Sequence, residues 1–85
     1  MVSKEITIKI PTGLEARPVA VLVQVASQYE SKIYIQNNEK KVNAKSIMGM
    51  MSLGIIEGES VTIFAEGKDE DAAVEDIEKY LTSNN

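Results

Sequence analysis

Eighty-five residues, 44% apolar and 26% charged with a net charge of −4, make one small acidic domain with room for a single core. The chain has no Cys, which excludes disulfides, thiolate metal sites and thiol catalysis. It has no His either, which removes the commonest general base, most zinc ligation and any phosphohistidine, so neither a cofactor nor a metal site is expected.

In chain order, Glu5–Ile10 alternates polar and apolar with Ile6, Ile8 and Ile10 on one face, which predicts a half-buried strand closed by Pro11-Thr12-Gly13. Val19, Val21, Val23 and Val25 alternate in the same way, but Pro18 suits a helix's first turn and is poor in a central strand. A helix is therefore expected from about Ala16 to Gln28. Lys32–Gln36 is a second alternating strand, and Asn37-Asn38 turns the chain into a weaker one over Lys40–Asn43. Ser46 suits an N-cap and Gly54 a C-terminal stop, with space for about two helical turns between them. Ser60–Ala65 forms a fourth strand closed by Gly67. Ala73, Val74, Ile77, Tyr80 and Leu81 share one face of a last helix, with Asp69 as its cap and Glu70 and Asp71 at the positive end of its dipole. This order predicts an α+β fold over residues 1–85 as a single domain: a four-stranded, mostly antiparallel sheet with helices on one face and water on the other.

Charge is unevenly placed. Residues 1–45 carry seven Lys/Arg against four Asp/Glu and residues 46–85 carry two against nine, so the halves stand at +3 and −7. The asymmetry can orient an acidic or phosphorylated partner on the first half, or it can be no more than solvated faces. One Arg and four aromatics (Tyr29, Tyr34, Phe64 and Tyr80) give no platform for stacked bases, so no direct nucleic-acid partner is expected. There is no secretory leader and no apolar run near the roughly 20 residues that span a bilayer, which points to a cytoplasmic protein without a membrane partner.

Three constellations can carry function. Ser46 is either a structural cap or a phosphate acceptor, with Lys45 before it and helix N–H groups that favour a dianion. Ile47, Met48, Met50 and Met51 put four large apolar side chains in five positions, more than one short helix can bury. Some of them fill the core and the others are left for a contact patch. In Gly13-Leu14-Glu15-Ala16-Arg17-Pro18, a loop enters a helix and Glu15 occupies an electropositive place beside Arg17, as a surface pair or as a functional charge.

The last of these segments resembles the active-site motif of the HPr family, the phosphocarriers of the bacterial sugar phosphotransferase system, normally Gly-Ile/Leu-His-Ala-Arg-Pro. Lys45-Ser46-Ile47-Met48-Gly49-Met50-Met51-Ser52-Leu53 resembles that family's regulatory serine segment. The resemblance covers essentially the whole chain and implies an HPr-like open-faced β-sandwich, three helices over a four-stranded antiparallel sheet in the order βαββαβα. The departure from the family falls at Glu15, where HPr carries the histidine that takes a phosphoryl group from enzyme I. In this respect the chain is similar to the Crh-like branch of the family, which also lacks that histidine and keeps the serine.

The resemblance implies a non-catalytic regulator. HPr kinase/phosphorylase would phosphorylate Ser46, and the phosphoprotein would bind catabolite control protein A as a corepressor in carbon catabolite repression. Ile47, Met48 and Met51 would form the docking patch, and Arg17 would contact the phosphoserine or an acidic partner residue. Glu15 leaves two alternatives open: a fixed negative charge that imitates phosphohistidine toward other phosphotransferase-system proteins, or an acyl-phosphate carrier. An acyl carrier protein, also small, acidic and bearing a helix-capping serine, is disfavoured by four strands and by Lys45 before Ser46. A monomer or weak homodimer is expected, the first strand being able to exchange between chains.

Overall fold

A computed structural model of the protein describes residues 1–11 and 16–83, Ala16 by its backbone alone. Its elements are β1 (Val2–Thr7), α1 (Ala16–Ser27), β2 (Lys32–Asn37), β3 (Lys40–Asn43), α2 (Ile47–Met51), β4 (Ser60–Glu66) and α3 (Glu70–Leu81). The four strands form one antiparallel sheet in the order β1-β4-β2-β3. The α+β architecture, the βαββαβα order and the three helices agree with the expectation from sequence.

Alternation sets the inner face. Ile6, Ile33, Ile35, Val61, Ile63 and Ala65 point from the strands into the core, where Val19, Leu22 and Ala26 of α1, Met50 of α2 and Ala73, Val74, Ile77 and Leu81 of α3 meet them. On the outer face Tyr34 lies opposite Phe64 in the register of β2 and β4, half-buried, and the Lys41 ammonium stands 4.2 Å above the Phe64 ring. A cation over an aromatic face shields the rings of this uncovered side from water.

β1 differs from its expected span. Pairing begins at Val2, because the full length of β4 offers partners up to Ala65, and regular pairing ends at Thr7 opposite Ser60, where β4 begins. Beyond it the chain stays extended on other partners: Ile8 N–H donates to the Glu59 carbonyl (2.8 Å) and Lys9 N–H to the Leu81 carbonyl (2.9 Å). Ile6, Ile8 and Ile10 are all buried, so the phase of the alternation holds although the strand's ends move. The hairpin turn also shifts by one residue. Asn37 closes β2 opposite Lys40, and Asn38 takes the left-handed φ of 56° that an asparagine tolerates.

Asp69 stands at the N-cap of α3 without capping it. Its carboxylate instead accepts the N–H groups of Glu30 (2.9 Å) and Ser31 (3.0 Å) and the Ser31 hydroxyl. Three donors outside the helix outcompete the helix's own N–H groups and fasten the start of α3 to the turn before β2. The two segments approach closely, since a Cβ on Gly67 would lie 2.7 Å from Ser31 Cα. These bonds, the Ser31 hydroxyl first, hold the Asp69 carboxyl below its ordinary value.

Candidate functional site

The hairpin ends at Asn43, and the next residues are held for a helix start. Lys45 N–H donates to Asn43 Oδ1 (2.8 Å) and Ser46 N–H to the Asn43 carbonyl (3.0 Å). Ser46 then has the extended backbone of an N-cap, and its Oγ accepts the Gly49 N–H at 3.1 Å. The predicted capping role is thus present, and the serine side chain is only partly buried.

The helix is shorter than the Ser46–Gly54 segment allowed. It ends at Met51, because the Ser52 hydroxyl bonds the Gly49 carbonyl (2.6 Å) and Lys40 Nζ reaches the Ser52 carbonyl (2.7 Å). These contacts satisfy acceptors that a helix end leaves open. Gly54, two residues past the Ser52 cap, turns the chain away with φ 59°.

Three of the five residues of α2 are half or more exposed. Met50 is fully buried, whereas Met48 is 85% exposed, Ile47 51% and Met51 50%. Three large apolar side chains therefore stand in water on the short helix that Ser46 caps, where scattered single residues would need no explanation. The structure brings Ser46, Ile47, Met48 and Met51 together on one short element. Arg17 is exposed in the first turn of α1, and α1 packs against α2. Glu15, with Gly13 and Leu14, lies outside the described residues.

The lysine beside the serine has a partner that the sequence did not disclose. Lys45, adjacent to Ser46, donates its ammonium to the Tyr29 carbonyl (2.7 Å) beyond the end of α1. Tyr29 in turn donates its hydroxyl to Asp76 of α3. The positive charge next to Ser46 is thus tied to backbone, and the link runs from the α2 entry to α3. Only the open carbonyls at the end of α1 hint at this in sequence, since such acceptors attract Lys; nothing local names Lys45 as the donor.

The arrangement can offer a hydroxyl for modification beside an apolar contact surface. Among the described residues, no group of three or more His, Cys, Asp and Glu side chains is placed to hold a metal ion, and no helix is long and apolar enough to cross a membrane.

Comparison with known proteins places this geometry. A family profile described as "PTS HPr component phosphorylation site" matches residues 2–83. The HPr-like protein Crh of Halalkalibacterium halodurans is 48% identical over 81 residues, covering 95% of this chain and 96% of its own. The crystal structure of the phosphocarrier protein HPr from Bacillus anthracis superposes with a TM-score of 0.92 at 44% identity, covering 94% of this chain and 95% of that one. A crystal structure of Crh from Bacillus subtilis, described as a swapped, intertwined dimer, gives a TM-score of 0.77 at 44% identity over 95% of this chain and 93% of that one.

Proposed function

The chain belongs to the HPr family, and on that premise we propose that it is a regulatory, Crh-like member switched by phosphorylation of Ser46. Residues 1–85 act as one domain in this reading, in the cytoplasm. HPr kinase/phosphorylase transfers the phosphoryl group: the Ser46 Oγ–P bond forms as the γ-phosphorus of ATP parts from ADP, and the hydroxyl proton leaves to a base or water. The product then serves as corepressor of catabolite control protein A in carbon catabolite repression.

The observation that carries the reading is the partly buried Ser46 at the head of a short helix whose Ile47, Met48 and Met51 are exposed. A phosphate there adds about 1.5–2 negative charges and three acceptors beside ready apolar surface. Charge supplies an anchor for a partner's basic groups while the side chains supply buried area. Arg17, exposed at the start of α1, is placed in this reading toward the phosphate or an acidic partner residue.

The missing histidine supports regulation over carriage. With no His anywhere and Glu15 at the family's histidine position, phosphotransfer through imidazole has no acceptor in this chain. The lone Arg also gives little electrostatic support for an acyl phosphate at Glu15. A weak homodimer fits the reading because the Bacillus subtilis relative is described as a dimer.

Incubation with HPr kinase/phosphorylase and ATP, followed by phosphopeptide mapping and binding to catabolite control protein A, tests the proposal. One phosphate on Ser46, absent in Ser46→Ala, and repressor binding that requires it are expected. Labelling that survives Ser46→Ala overturns it.

A further inference from the structure

Gly49 is the third residue of α2 and does not have a positive φ, unlike Gly54, Gly58 and Gly67. Backbone conformation therefore gives no reason for glycine, which weakens a helix relative to alanine. Space gives one. A Cβ at this position would stand 3.3 Å from Ser46 Oγ, 3.4 Å from Ser46 Cβ and 3.4 Å from Val42 Cβ. Its neighbours would have to give by a few tenths of an ångström, and the hydroxyl of Ser46 is the nearest of them. The same residue donates the N–H that fixes that hydroxyl at 3.1 Å.

We propose that Gly49 is the positioning residue for phosphorylation of Ser46: its N–H sets the hydroxyl oxygen, and its lack of a Cβ leaves that oxygen where the N–H puts it. This rests on the reading of Ser46 as the acceptor. In the transfer, the oxygen must align with the γ-phosphorus of ATP as the bond to ADP breaks and the hydroxyl proton departs. A Cβ 3.3 Å from the oxygen displaces it and costs alignment, while the docking surface of Ile47, Met48 and Met51 is left as it was. The effect therefore falls on kcat rather than on KM.

Helix energetics makes the test discriminating. Gly49→Ala gains helix propensity that offsets the few tenths of an ångström of crowding, so its melting temperature should stay near the parent's, and Gly49→Gln puts a longer side chain at the same place. With purified HPr kinase/phosphorylase and ATP, kcat should nonetheless fall about threefold for Gly49→Ala and about tenfold or more for Gly49→Gln, with KM within about twofold of the parent, because sub-ångström misplacement is felt in the chemical step. Val42→Gly, added to Gly49→Ala, removes the Cβ that makes the other crowding contact and should not restore kcat. Phosphorylation of the Gly49 variants at the parent rate, or restoration by Val42→Gly, overturns the positioning role while leaving Ser46 as acceptor. A fall in kcat that merely tracks a lowered melting temperature also overturns it. A parent protein that takes no phosphate overturns the reading of Ser46 and this inference with it.

Discussion

α3 runs twelve residues and buries Ala73, Val74, Ile77 and Leu81, whereas α2 runs five and buries Met50 alone. Both sit on the same face of one sheet, yet they are held by different forces. α3 is held mainly by apolar area against β1 and β4, and its outward positions carry Asp71, Glu75 and Lys79. α2 is too short for propensity or its one buried residue to hold it, and depends on contacts at both ends: the Ser46 hydroxyl at its start, the Ser52 hydroxyl and Lys40 at its finish. Freed from burial, its outward positions can hold Ile47, Met48 and Met51. The difference teaches where contact surface can be placed in a small domain: on the element whose stability rests least on its own side chains.

The comparison breaks most visibly at Ile77, fully buried at the centre of α3's inner face. Ile77→Ala should cost about 2–5 kcal/mol, the loss of transfer energy plus an unfilled cavity. Urea denaturation measures it through a lower midpoint at unchanged slope. A cost below about 1 kcal/mol would mean that α3 is not anchored by its apolar face.

A smaller effect separates the two helix starts by their chemistry. The Asp69 carboxyl titrates, and the donors of Ser31 and Glu30 hold it below the ordinary 3.8. The unfolded chain therefore binds the proton more readily than the folded one. Stability from this group is complete above the unfolded value and is lost as pH falls through the lower folded value. The Ser46 cap does not titrate in that range. Stability curves between neutral pH and about pH 2 should thus show an acid limb that Asp69→Asn makes shallower, and amide exchange in acid should rise at the start of α3 before the start of α2. An acid limb equally steep in Asp69→Asn would assign it to other carboxylates. Because Asp69 is only partly buried, water screens the group and the effect should fall short of the Ile77 cavity.

The same contrast explains what could be read from sequence. Inner faces were legible because alternation and helical period are local: Ile6, Ile8 and Ile10, or Ala73, Val74, Ile77 and Leu81, share a face whatever surrounds them. Ser46 as a cap was legible for the same reason. The ends of β1 were not, because they depend on the length of β4, far along the chain. Asp69 misled because its competing donors, Glu30 and Ser31, come from a distant turn. Which of the four apolar residues of α2 would be buried was likewise open, since only the packing against α1 and β3 selects Met50.

Met48 gives the smallest expected change in stability and the sharpest test of what separates the two helices. At 85% exposure its side chain has little burial to lose, so Met48→Ala should leave the stability within about 0.5 kcal/mol of the parent. If the patch docks a partner, the same truncation should lower the affinity of Ser46-phosphorylated protein for catabolite control protein A about tenfold, as loss of a central apolar anchor does, when measured by calorimetry. The two measurements must diverge. A stability loss approaching that of Ile77→Ala would place Met48 in the fold's own packing and erase the distinction between α2 and α3. Unchanged affinity would leave the exposed methionine without a docking role, even with Ser46 phosphorylated. Stability kept and binding lost is the behaviour of a helix held at its ends, with its face free for another molecule.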